Sequence, residues 1–142
     1  MLGHDPGSDW WSTRAARRVL FADPTRNWHQ IMSEAALRWT LGTPDLMVQQ
    51  VEHLIEVSRR DNVRLGVIAL ATPKPIAAPA PFHLIDDDTG MIATEVGTSF
   101  ITDPHDLDHF GELFTTLDQL AVYDEDAREL LYRVRHDHQA PR

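Results

Sequence analysis

Residues 43–70, TPDLMVQQVEHLIEVSRRDNVRLGVIAL, decide the fold. Thr43, Pro44 and Asp45 read as a helix start. The hydroxyl can accept a free first-turn amide, proline loses nothing at the first helical position, and the carboxylate favours the positive end of the helix dipole. Met47, Val51, Leu54, Ile55 and Ser58 then recur at helical spacing along one stripe, and Arg59 and Arg60 close the negative end. Asp61-Asn62 turns the chain into VRLGVIAL, rich in β-branched residues and leucine. Val63, Leu65 and Val67 lie on one face of that segment, Ile68 and Leu70 on the other. A strand apolar on both faces is a central strand covered on both sides.

Working outward, WHQIMS (28–33) alternates as a strand, with Trp28, Gln30 and Met32 on one face and His29, Ile31 and Ser33 on the other. EAALRW favours helix, so the change from strand to helix falls near Ser33 and Glu34, and Gly42 ends that helix. Towards the N-terminus, ADPTRN is a turn and Ser12 caps a short helix in STRAARRVLF. Downstream, ATPKPIAAPAP holds four prolines and reads as an exposed loop. FHLIDDDTGMIATEVG reads as a hairpin, Phe82–Asp86 against Met91–Val96, with Gly90 accepting positive φ in the turn, and TSFI reads as a third strand. Asp103-Pro104 opens a second strong helix with Leu107, Phe110, Phe114 and Leu117 in its stripe. Asp124 is read as the cap of a third, with Ala127, Leu130, Leu131 and Val134 facing inward. The fold class is therefore α+β: a small mixed β-sheet with a hairpin, packed against three to four helices. The expected organisation is an irregular segment over 1–11, one domain over 12–136 and a tail over 137–142.

The net charge of −9 and the absence of cysteine limit the function classes. A chain of that charge repels nucleic acid and anionic membranes unless its basic residues cluster, and the one local cluster, Arg14, Arg17 and Arg18, is small. No nucleic-acid binding by this chain alone is expected. Without cysteine there is no disulfide, thiolate metal site or cysteine nucleophile. No apolar run reaches membrane-spanning length, and MLGHDPGSDWW has no signal-peptide pattern, so no membrane association and a cytoplasmic location are expected.

Two carboxylates, Glu34 in IMSEAAL and Glu95 in IATEVG, stand within apolar segments. They could form an acid–base pair or hold a divalent metal. Alternatively each bonds an arginine or a backbone amide, with Arg38, four residues after Glu34, and Arg64 as candidates. His105 and His109 are spaced as two ligands of a zinc site, but HDLDH lacks the glutamate such a helix uses, and no third ligand is evident. His136 and His138 fall at the start of the expected tail, one on each side of Asp137. Trp10, Trp11, Trp28 and Trp39 read as core, or as the wall of a pocket or partner face. With no Gly-rich phosphate loop and no G-x-S-x-G, no catalytic residue, metal or cofactor is assigned.

The succession RAARRVLF, IMSEAALRW, TPDLMVQQVEHLIE, DNVRLGVIAL, FHLID, IATEVGTSFI and DPHDLDHFGELFTTLDQLAVYDEDARELLYRVR resembles the C-terminal domain of actinobacterial XRE-type helix-turn-helix regulators, domain of unknown function 5753. The resemblance covers about residues 13–135. Glu34, Leu37, Gln50, Val63, Val67, Phe82 and Glu95 fall on positions of its pattern. Arg18, Val51, Ala69-Leu70 and Ala127 depart from it, and the DNA-binding half of such regulators is not seen here. The resemblance implies a regulatory, antitoxin-like domain that senses an effector, dimerises or binds a small protein partner. Glu34, Arg38, Gln50 and Glu95 are then the candidate ligand- or partner-binding residues. The alternative is a small hydrolase or metal-dependent enzyme using Glu34 and Glu95.

Overall fold

The computed structural model describes residues 23–94 and 96–140. The Ser12 helix, Trp10, Trp11 and Glu95 lie outside them. In chain order the elements are β1 (Trp28–Ser33), α1 (Glu34–Arg38), α2 (Pro44–Val57), β2 (Val63–Ile68), β3 (Phe82–Ile85), β4 (Thr89–Thr94), β5 (Gly97–Ile101), α3 (Pro104–Leu120) and α4 (Asp124–Gln139). The class is α+β, and its strands divide between a parallel pair, β1–β2, and an antiparallel meander ordered β3-β4-β5.

The helix starts follow local chemistry. Thr43 Oγ1 accepts from the Leu46 amide at 3.2 Å, Ser33 Oγ from Ala36 at 3.2 Å, and Asp103 Oδ1 from His105 at 2.9 Å. Each satisfies a first-turn amide that has no partner within its own helix. Asp124 is not the cap expected of α4. Tyr123 holds the cap position without a side-chain bond, and Asp124 enters the first turn at φ +52°. The preceding Val122 is held to Val67 by reciprocal backbone bonds of 3.0 Å, and Tyr123 is held by its hydroxyl, so the turn into the helix falls on Asp124.

β2 runs between β1 on one side and the Val67–Val122 bridge on the other, as expected of a central strand. Trp28, Met32, Leu65 and Val67 contribute one face of the parallel pair to the core. α4 covers that core with Ala127, Leu130, Leu131 and Val134, all at most 2% exposed. α2 buries Met47, Val51, Ile55 and Val57, and it packs chiefly on α4 rather than directly on the sheet. That leaves Leu54 only half-buried beside the core.

The hairpin turn differs from its expected form. Asp86 and Asp87 take positive φ, +50° and +63°, in the three-residue connection between Ile85 and Thr89. Aspartate tolerates this region because its short side chain can bond locally. Gly90 lies in β4 instead, where a Cβ would approach Ile101 Cβ at 3.2 Å. The expected tail at 137–139 is the last turn of α4: Asp137 pairs with Arg38, and His138 is buried.

Candidate functional site

Glu34 opens α1 directly after β1, and that position turns its carboxylate towards the end of β2. Its Oε2 accepts from the Leu70 amide at 2.7 Å, and its Oε1 from Arg38 Nε at 2.7 Å. Arg38 also donates to Asp137 Oδ2 at 2.6 Å. One chain of charge-assisted bonds thus joins α1, the strand end and the last turn of α4. Burial pushes the Glu34 carboxyl upwards, but the Leu70 amide and Arg38 outweigh it and hold it below the usual carboxylate value. Nearby, His138 Nε2 is 2.8 Å from the Leu37 carbonyl oxygen. Both oxygens of Glu34 are committed to the fold. Gln50 is exposed on α2 and stands outside this network.

A second polar group forms on the other face of the parallel pair. Strand alternation and register bring His29 of β1 beside Arg64 of β2. α3 adds Phe114 and Asp118, and the α3–α4 connection adds Tyr123. His29 Nε2 is 2.9 Å from the Tyr123 hydroxyl and 3.1 Å from Asp118 Oδ1, while Tyr123 donates to Asp118. The Arg64 guanidinium lies over the Tyr123 ring, 4.2 Å from its centroid, and Phe114 meets His29 edge-on at 4.9 Å. The Tyr123 ring occupies the space above Gly66, where any Cβ would be 2.6 Å from it. Desolvation lowers the His29 pKa against the pull of Asp118. The Tyr123 bond, helped by His29 and Arg64, holds the Asp118 carboxyl below its usual value. Burial first, and then Asp118, push the Tyr123 hydroxyl upwards.

A neutral histidine beside a carboxylate can move protons. Here the polar atoms within its reach bond one another, and the group joins β1, β2, α3 and the α3–α4 connection. Sequence reading did not find it, because His29 and Tyr123 are 94 residues apart. The only local sign was a histidine on the strand face opposite Trp28 and Met32.

The antiparallel sheet offers surface rather than core. Phe82, Leu84, Gly90, Ile92 and Ile101 share the face towards α3, where the Phe82 and Phe110 rings are 5.1 Å apart. On the opposite face His83, Met91 and Phe100 form one cross-strand row, flanked by Ile85 and Ala93. Phe100 is 68% exposed, Ile85 45%, and Val96 in the β4–β5 turn 99%. Between the hairpin and α3 runs an open groove of about 660 Å³, lined by Leu84, Thr89, Leu107, Gly111 and Thr115 and rimmed by Asp87, Asp108 and Glu112.

His105 and His109 are exposed on α3, and among the described residues no three His, Cys, Asp or Glu side chains converge as a metal site. Trp28 packs beside the core, whereas Trp39 is 75% exposed next to Leu41, which corrects a core reading for Trp39. Among the described residues no helix is long and apolar enough to cross a membrane. No curated protein and no solved structure matches the chain. The pattern of a domain of unknown function, DUF5753, matches residues 3–133, and the chain belongs to that family.

Proposed function

We propose that the chain is the sensing, dimerising or partner-binding domain of a transcription regulator, resembling the C-terminal half of XRE-type, antitoxin-like proteins. The observation that carries this reading is the exposed apolar surface of the antiparallel sheet, with Phe100, Val96 and Ile85 open to solvent. Apolar side chains left in solvent on a sheet face are a recurrent mark of interaction surfaces. The enzyme alternative needs a free Glu34 carboxylate, and both of its oxygens are engaged by Leu70 and Arg38.

Affinity capture from host lysate, combined with light scattering of the purified chain, tests the proposal. The wild-type chain recovers a stoichiometric protein or small-molecule partner, or forms a dimer, and the Val96→Asp/Phe100→Asp variant loses it while melting normally. A monomer that recovers neither overturns the reading, and a partner indifferent to the double substitution removes the open sheet face as its surface.

A further inference from the structure

Charge is distributed unevenly along this chain. Residues 82–120 hold nine Asp and Glu and neither Lys nor Arg, so the whole net charge of −9 resides there. Outside that stretch thirteen carboxylates are matched by thirteen basic side chains. Within the stretch the groove between hairpin and α3 combines an apolar floor, Leu84 and Leu107, with a rim of Asp87, Asp108 and Glu112. Among the described residues no ion pair reaches these three carboxylates. At Gly111 the floor opens further, since a Cβ there would meet nothing within 4 Å.

Resting on the partner-binding reading above, we propose that this groove docks a cationic amphipathic segment of a partner protein: leucine-like side chains on the floor, arginines on the rim. The groove volume suits a few side chains rather than a whole domain face. Charge selects the occupant. A second copy brought to the groove through its own residues 82–120 would set like charge against like charge, which disfavours association. A basic segment gains attraction across the same short distances. Asp87, Asp108 and Glu112 are exposed, so each such pair is individually weak, and binding rests on several of them acting together with the apolar floor.

The probe is a short fluorescein-labelled peptide carrying leucine and arginine at helical spacing, with a glutamate-for-arginine counterpart as control. Fluorescence anisotropy follows its binding to the full chain. The arginine peptide binds, the glutamate peptide does not, and added salt weakens the complex. Asp108→Asn/Glu112→Gln weakens binding by about tenfold or more. Gly111→Leu is the decisive variant. It fills the groove while replacing a mid-helix glycine, so the fold melts no lower than the parent, yet binding is lost.

Binding that survives Gly111→Leu overturns the groove as the site. Binding that appears only in Arg14→Gln/Arg17→Gln/Arg18→Gln assigns the groove to the chain's own basic segment and overturns the external partner. A dimer abolished by Gly111→Leu assigns it to a second copy, with the same consequence. If lysate capture yields a partner that binds Gly111→Leu equally well, the groove proposal fails and the partner-binding reading stands. If capture yields nothing while the peptide result holds, the broader reading fails instead.

Discussion

Residues 28–68 and 124–139 contain every member of the buried hydrophobic cluster, from Leu37 to Val134. Residues 82–120 contain none of it, and Gly90 is the one buried position among their described residues. The two regions are joined through the His29–Tyr123–Asp118–Arg64 group, which reaches from β1 and β2 to α3. The contrast separates two uses of apolar side chains. In the first region they exclude water from one another and supply folding free energy. In the second, a three-stranded sheet covered on one face by a single helix leaves Ile85, Val96 and Phe100 in solvent. That hydration cost is relieved when something covers the sheet.

The sharpest attempt to break this contrast is a truncation at its buried extreme. Leu131 is 0% exposed and central to α4. Leu131→Ala is expected to cost about 2–5 kcal/mol in urea denaturation, as cavity-forming substitutions do. A loss below about 1 kcal/mol would mean that the first region is not the stabilising one.

Two glycines make the second comparison. At Gly66 an added methyl would press on the Tyr123 ring, and Gly66→Ala is expected to cost about 1–3 kcal/mol through overpacking. At Gly111 the same methyl meets open space, and Gly111→Ala is expected to stabilise α3 by about 0.5–1 kcal/mol. Thermal melts of the two variants should move in opposite directions. Movement in the same direction would contradict the packing difference.

The third prediction concerns pH and the seam between the regions. His29 has a folded pKa below its ordinary 6.5, and Asp118 one below 3.8. In both cases the unfolded chain binds more protons within the window, so stability falls as pH falls. The first loss begins below the unfolded His29 value, and a second follows in the carboxylate range, where Glu34 contributes too. Urea midpoints measured from about pH 8 down to about pH 5 should show the first step in wild type and lack it in His29→Asn. An unchanged step in that variant would assign it to another histidine.

Much of the first region was legible in the sequence because its signals are local. Thr43-Pro44 marks a helix start by the chemistry of one turn, as Asp103-Pro104 does in the second region, and the doubly apolar Val63–Ile68 marks a covered strand. Glu34 with Arg38 was legible for the same reason, as an i,i+4 pair. What could not be read was long-range. Asp137 completes the Arg38 pair from 99 residues away, and that contact is part of why an apparent tail is helix. Tyr123 is claimed by the His29 and Asp118 side chains, which moved the α4 cap away from Asp124. In the hairpin, residue type misdirected the reading: glycine is the usual bearer of positive φ, but two aspartates bear it here while Gly90 yields space to Ile101.

The smallest expected effect is the most telling for function. Phe100 stands opposite Met91 on the sheet face turned from α3, and it is 68% exposed. Replacing it by serine removes one cross-strand pair, a contribution of about 0.2–1 kcal/mol. The ring is largely solvated in the folded chain as it is in the unfolded one, so little burial free energy is lost with it. Phe100→Ser should therefore shift the urea midpoint hardly at all, against the large shift of Leu131→Ala. If Phe100→Ser instead costs more than about 2 kcal/mol, the ring is packed in solution, because only a packed side chain carries so large a penalty. The apolar face would then be part of a second core, and the partner-binding reading would lose the surface on which it rests. If stability is unchanged while a captured partner or dimer is lost, the ring acts only between molecules.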